Sequence, residues 1–326
     1  MANIKIPNIL TDLAHVGNAG LLLGDTPALR PELELCRQWG YLVEQEEGRV
    51  FLRFNDDQIV PYWIQRETPN IAWEGLRVNG FLQIDSTNRE ALEQAGRGVP
   101  SGTLICAEEQ MSGKGREDRD WYSPPRSGLY FSLIVRPKQP EKYWPILTHV
   151  ASIALVRTLK YLIKIGTIPR DMDIQIKWPN DVLISGKKCA GILLQTLNRD
   201  ENRAVIIGVG IDVHKGSVPE ALANETICID DAANAEVPRR KIMVGFLEQF
   251  QKVYSEFEKG EHEAVLDSWK THSNMYNGVN VLIEEGGMQR SGVTCGLNEM
   301  GALLVLTEEG SIETIHAGSI RIQDPK

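Results

Sequence analysis

Lys177-Trp178-Pro179-Asn180-Asp181 sets a single lysine at the lip of a stiff turn, between the short apolar runs 174–176 and 182–184. A cation held at a strand end can offset negative charge developing on a phosphoryl or acyl group. Taken alone, Pro-Asn-Asp between two apolar runs is better read as an ordinary hairpin. Its meaning depends on the segments that accompany it.

Three further segments carry polar chemistry. Asp85-Ser86-Thr87-Asn88 stands at a strand-to-helix junction. Its hydroxyls and amide can cap the helix or hydrogen-bond a polar ligand at the positive end of the helix dipole, and capping alone explains them. The stretch from Ala107 to Trp121 reads AEEQMSGKGREDRDW and opens, after Gln110, into Gly113-Lys114-Gly115-Arg116. Glycines let backbone amides approach a phosphate, and the two cations neutralise it; a solvated surface loop is the alternative. It is not a Walker loop, because Glu108 stands where the first glycine is needed and Gly115 where Ser or Thr follows the lysine. The last segment comprises Lys187-Lys188-Cys189-Ala190-Gly191 and Gly208-Val209-Gly210-Ile211-Asp212, each a weak signal singly.

The elements that position these residues form three regions. The chain has 326 residues, 42% of them hydrophobic and 24% charged, enough for about two domains and an appendage. Residues 1–66 read as helix (9–16), helix (28–39, with Asp25 and Pro27 at its start and Gly40 at its end), then two short strands about the turn Glu46-Glu47-Gly48, the outline of a winged helix-turn-helix. Residues 75–272 alternate strands (81–84, 103–107, 130–135, 174–177, 181–184, 190–196, 204–210) with helices beginning at Ser86 and Arg239 and another between Pro145 and Ile165. Strands clustered by short turns predict an α+β fold, a mixed sheet with helices on one side. Residues 278–326 change to four short strands with Gly-rich turns, a small β-barrel.

Composition excludes several classes. No apolar run approaches the ~20 residues of a membrane span, and residues 1–10 do not form a signal peptide. Five scattered cysteines without a Cys-x-x-Cys pair speak for reduced thiols in the cytoplasm and against zinc. A net charge of −9 opposes general nucleic-acid binding. Residues 1–66 carry six basic against nine acidic side chains, a net −3, with Pro31, Glu32 and Glu34 in the second helix. That sign opposes phosphate binding and predicts a winged-helix remnant with a structural role.

In this order, DSTN, AEEQxxGKGRxxRxW, KWPND, KxAGIL and GxGI resemble the bacterial biotin–protein ligase family, from about residue 78 to the C-terminus and less securely over the N-terminal wing. The resemblance implies a catalytic domain like those of class II aminoacyl-tRNA synthetases and a C-terminal barrel of SH3 type. It also implies a two-step reaction: biotin's carboxylate attacks the α-phosphate of ATP, and a lysine of a biotin carboxyl carrier protein then attacks the biotinyl-5′-adenylate. Carried over by position, Ser86, Thr87, Asn88 and Gln110 are expected at the biotin, with Lys114, Gly115, Arg116 and Lys177 beside them. Gly113, Lys114, Arg116, Trp121, Lys188, Gly191 and Asp212 are expected at ATP or the adenylate, and Lys177 and Arg116 are the expected catalytic residues. Magnesium is expected with ATP, held largely by phosphates and water rather than by a protein metal site. The family allows a homodimer. A lipoate or octanoate ligase on the same fold and a bifunctional ligase–repressor are the alternatives. Two departures point to a weaker or slower ligase: the loop reads GKGREDR where the family has GRGRRGR, and Asp212 stands where the family has Asn.

Overall fold

Strong period-two burial in some strands and burial on both faces in others decide which layers the chain must build. The computed structural model describes residues 3–22, 29–69, 71, 75–198, 202–285, 288–316 and 318–323. The N-terminal segment contains β1 (Ile4–Lys5), α1 (Asn8–Val16), β2 (Leu21–Leu22), α2 (Arg30–Gln38), β3 (Val43–Glu46), β4 (Arg49–Leu52) and α3 (Pro61–Glu67). Strands β2, β4 and β3 form a three-stranded sheet, with Glu47 and Gly48 both at positive φ in the hairpin turn. The expected helix start at Asp25 and Pro27 lies outside the described residues. Three features were not anticipated: α3, the third wing strand β2, and β1, which pairs with the central sheet rather than with its own segment.

That central sheet has eight strands in the order β1-β5-β6-β7-β11-β10-β9-β8. It is built from β5 (Arg77–Ile84), β6 (Thr103–Gln110), β7 (Gly128–Val135), β8 (Ile174–Lys177), β9 (Asp181–Ile184), β10 (Lys187–Leu197) and β11 (Ala204–Asp212). Only the β5–β6 pair is parallel, so the sheet is mixed as expected. Four helices accompany it: α4 (Thr87–Gly96), α5 (Ile146–Lys164), α7 (Arg239–Glu258) and α8 (His262–Lys270), with the short α6 (Ile229–Ala233) after β11.

Helices do not lie on one side only. Helices α5, α7 and α8 share the main core with Phe131, Leu133 and Ile207, while α4 closes a separate core on Phe81, Ile105, Ile134 and Ile206. The reason is β7, buried at every position, whose two apolar faces both need cover. Helix α5 also corrects the reading of apolar runs. By length and composition its 19 residues suffice to cross a membrane, yet most of the helix is buried in the core, where it packs on α7.

The C-terminal region contains five strands rather than four: β12 (Asn277–Glu285), β13 (Met288–Leu297), β14 (Leu303–Thr307), β15 (Ile312–Ile315) and β16 (Ser319–Ile322), ordered β15-β14-β13-β12-β16. Its inward side chains, including Val281, Leu303 and Ile320, join the same apolar cluster as α5 and α8. This small sheet therefore leans on the larger domain for its core.

Candidate active site

The helix start at Ser86 is not capped in the expected way. Ser86 is buried and makes no side-chain cap. The cap comes from Gln110, whose Oε1 accepts from the Thr87 amide at 2.9 Å and the Thr87 hydroxyl at 3.0 Å. Gln110 Nε2 then donates to Ser123 Oγ at 2.9 Å. Ser132 Oγ lies 2.8 Å from Thr87 Oγ1 and 2.6 Å from Asn88 Oδ1, and Asn88 Nδ2 donates to Gln195 Oε1 at 2.9 Å. A cap borrowed from a strand end leaves Ser86 at the lip of a cavity and ties Thr87 and Asn88 into one hydrogen-bond network.

That cavity measures about 810 Å³ and lies between the loop after β6, the ends of β8–β11 and the C-terminal sheet. It is lined by Ser86, Thr87, Asn88, Gln110, Lys114, Gly115, Arg116, Trp121, Lys177, Lys188, Gly191 and Asp212. Gly113 alone of the expected residues does not line it. A Cβ at Gly113 would stand 2.6 Å from the Trp121 carbonyl and 2.7 Å from Ser123 Oγ, so this glycine serves the packing of the loop on itself.

The floor is flat because three glycines form it. Gly191 and Gly210 face each other across β10 and β11. A Cβ at Gly210 would meet the Trp121 indole at 2.5 Å, one at Gly191 would meet it at 3.0 Å, and one at Gly208 would meet Asn88 Oδ1 at 2.1 Å. The spaced glycines in the two strands thus have a steric reason. The Trp121 indole N–H is buried with no partner among the described residues.

Cations gather at one end. Lys188 Nζ sits 2.7 Å from Asp181 Oδ1 and 5.1 Å from the centre of the Trp121 ring. Arg116 donates from Nη1 to Asn180 Oδ1 at 3.2 Å, which ties the loop to the Trp-Pro-Asn turn, whose Trp178–Pro179 bond is cis. Lys177 makes no hydrogen bond or ion pair with the described residues. Burial lowers its pKa from the ordinary lysine value, against the pull of Asp181. Arg321 from β16 adds a further positive charge near Lys177. Trp178 anchors the turn by donating from Nε1 to the Gly301 carbonyl at 3.1 Å, the oxygen that also bonds His149 Nε2 at 2.9 Å.

The loop itself neutralises part of its charge. Gly113 to Trp121 forms a narrow hairpin, closed by Trp121 N to Gly113 O at 2.9 Å and Gly115 N to Arg119 O at 2.7 Å. Lys114 Nζ lies 2.7 Å from Asp120 Oδ1, and Arg119 Nη2 lies 2.6 Å from Glu117 Oε2. Glu117 and Asp118 turn the hairpin at φ 55° and 57°, a left-handed pair that disfavours non-glycine residues. Asp212 is buried at the opposite wall, where desolvation pushes its carboxyl up to about 8 despite the charge of Lys188.

Ser132, Asn180, Gln195 and Arg321 were missed in the sequence. Asn180 stands inside the most informative pentapeptide, and its polarity beside a proline was read only as turn chemistry. Nothing in the runs around Ser132 or Gln195 marks them before the strands are paired.

A model of the biotin/lipoate A/B protein ligase family matches residues 80–212. The bifunctional ligase/repressor BirA of Bacillus spizizenii is 33% identical over 89% of this chain and 85% of its own length. That of Escherichia coli is 29% identical over 94% of this chain and 93% of its own. Among solved structures, the biotin protein ligase of Aquifex aeolicus in complex with biotin and ATP superposes with a TM-score of 0.65, at 27% identity, over 76% of this chain and 99% of that one.

Proposed function

This chain belongs to the biotin–protein ligase family, and we infer from its cavity how it performs the family's reaction. It is an ATP-dependent biotin–[acetyl-CoA-carboxylase] ligase that joins biotin to a lysine of the biotin-carrying carboxylase subunit by way of biotinyl-5′-AMP. The observation that carries the reading is the division of one cavity into a neutral hydrogen-bonding end and a cationic end. Its volume, about 810 Å³, falls in the range of small-molecule sites.

Adenylation needs no protein nucleophile; it needs cations, oriented donors and exclusion of water. Ser86, Thr87, Asn88 and Gln110 hold the ureido end of biotin, whose N–H and C=O groups match hydroxyl and amide partners. Lys177, which makes no ion pair among the described residues, faces the carboxylate and α-phosphate and offsets the charge of the pentavalent transition state. Arg116 and Lys188 contribute at the same end, with Lys114 and Gly115 in the covering loop. Trp121 roofs the adenylate against Gly191 and Gly210, and Asp212 stands beside the nucleotide. Magnesium enters as part of the ATP substrate.

The three-stranded N-terminal unit supports a winged-helix reading, and the five-stranded C-terminal sheet an SH3-like one. A homodimer and a cytoplasmic location complete the proposal. Incubating the chain with ATP, biotin and an unmodified biotin-acceptor domain, then weighing the acceptor, should show one biotinyl group per acceptor lysine. Labelling by lipoate in place of biotin would move the assignment to the lipoate ligases of the same fold.

A further inference from the structure

Two adjacent arginines open α7, where the helix dipole disfavours cations, so something else must hold them. Arg239 is 2% exposed and Arg240 fully buried. Arg240 reaches back to Asp56, Glu67 and the Asn55 carbonyl. Arg239 joins Asp57 at 3.0 Å to Glu108 at 2.6 Å, and Glu108 also accepts from the Tyr41 hydroxyl at 3.1 Å. Asp57 in turn lies 2.7 Å from His214 Nε2, and Asp230 of α6 lies 2.8 Å from His214 Nδ1.

His214 follows Asp212 by two residues at the end of β11. Its amide donates to the Ser127 carbonyl at 2.7 Å, and its carbonyl accepts from Ser217 Oγ at 2.7 Å. Asp212 and Ser217 both line the cavity. We propose that Asp57, supplied by the N-terminal segment, is a positioning residue for the nucleotide end of the site, acting through His214 on the strand end that carries Asp212 and Ser217. This rests on the ligase reading only in naming ATP as the nucleotide.

Both imidazole nitrogens face carboxylates, so only the imidazolium can donate to both at once. Three carboxylates (Asp57, Glu108, Asp230) then meet two cations, Arg239 and His214; without the His214 proton they meet one. The neighbouring Lys215 is spent on Asp231 at 3.6 Å. Burial opposes a charged His214, but its bonds to Asp57 and Asp230 outweigh it and raise its pKa above 6.5. Burial likewise opposes a charged Asp57, but His214 and Arg239 outweigh it and hold its carboxyl well below the usual range. The latch is therefore closed while His214 is protonated and opens as pH rises through its raised value.

The test is Asp57→Asn in the full chain, with thermal unfolding to verify the fold. The Michaelis constant for ATP should rise about tenfold, toward the low end of typical coupling between sites, while that for biotin stays within twofold. The His214 imidazole, followed by NMR, should titrate at lower pH. His214→Gln should raise the ATP constant alike, since an uncharged amide with a single nitrogen cannot replace donors on both Nδ1 and Nε2, and the double variant should be no worse than either single one. An unchanged ATP constant in both variants, an equal loss for biotin, or an unmoved His214 titration overturns the proposal. A wild-type chain without ligase turnover would instead undo the ligase reading. The His214 titration, and the hydrogen-exchange protection of amides 212–217 with and without Asp57, would still decide the latch.

Discussion

The indole of Trp121 lies across Gly210, so close that a Cβ on the glycine would stand 2.5 Å from its Cε2 and Nε1 atoms. Strand backbone and aromatic roof are thus in contact with no side chain between them. Gly210→Ala should lift the roof and raise the ATP constant about tenfold, within the ~1–3 kcal/mol that overpacking usually costs. The change in tryptophan emission on adding biotin and ATP should shrink with it. Unaltered emission and kinetics would mean that the indole is not the cover of the nucleotide.

Lys177→Ala should lower pyrophosphate release by ~10²–10³ without lowering the melting temperature. The lysine sits at a strand end and makes no ion pair with the described residues, so the fold loses little. Burial lowers its pKa, so the ammonium lacks full hydration and gains most from an anionic partner. Release at near wild-type rate would remove Lys177 from the mechanism.

How much of this was legible beforehand follows from the range of the forces involved. The turn at Trp178-Pro179, the glycine-rich loop and the β8–β9 hairpin are local patterns legible as turns and loop, and their place at the cavity is what the family resemblance implied rather than their spacing. Borrowed partners were not legible. Gln110 caps α4 from 23 residues away, and Ser132 reaches Thr87 across 45, contacts that exist only once β6 and β7 are paired beside the helix. The side of the sheet covered by α4 was misjudged because a short buried strand such as β7 shows no alternation to read. Arg239 and Arg240 did carry a signal, cations in the first turn of a helix, that was passed over.

Arg116 is the loop cation that the loop does not consume. Lys114 pairs with Asp120 and Arg119 with Glu117, whereas Arg116 crosses to Asn180 at 3.2 Å. Arg116→Gly should let biotinyl-5′-AMP escape, and the free mixed anhydride should acylate lysines of bystander proteins such as added albumin. Labelling confined to the acceptor domain would show that retention lies elsewhere in the loop.

Asp212 predicts a pH limb. With its carboxyl pushed up to about 8 by burial, it is neutral at pH 7 and turns anionic beside the nucleotide as pH rises. ATP affinity should fall above pH 8, and Asp212→Asn should lessen that fall, leaving the part that follows His214. The same shift makes the folded state favour the proton. Its contribution to stability is full below 3.8, the ordinary value, and is lost as pH rises through about 8, so Asp212→Asn should melt higher than wild type at pH 9. Parallel pH profiles for the two proteins would place the titration on another group.

Two relatives named bifunctional ligase/repressor cover 89% and 94% of this chain, so DNA binding calls for a direct test. The cations of that segment are largely engaged. Arg53 pairs with Glu44 and Glu46, Arg37 lies 3.7 Å from Glu34, Arg49 donates to the Ala19 carbonyl, and Arg66 donates to the Tyr62 hydroxyl. On α2, where a recognition helix would present base, Glu32 and Glu34 are exposed. Phosphate contacts supply most of the free energy of DNA binding and need free positive charge, whereas residues 1–66 carry a net −3. Fluorescence anisotropy with promoter fragments of biotin-synthesis genes, at about 150 mM salt with biotin and ATP present, should show nothing tighter than the roughly micromolar range of non-specific association. Removing residues 1–66 should still impair the ligase, because it takes Asp56 from Arg240 and Asp57 from Arg239, two cations that are buried in the intact chain. Saturable, sequence-dependent binding that strengthens on adding biotin and ATP would make the chain a repressor as well as a ligase.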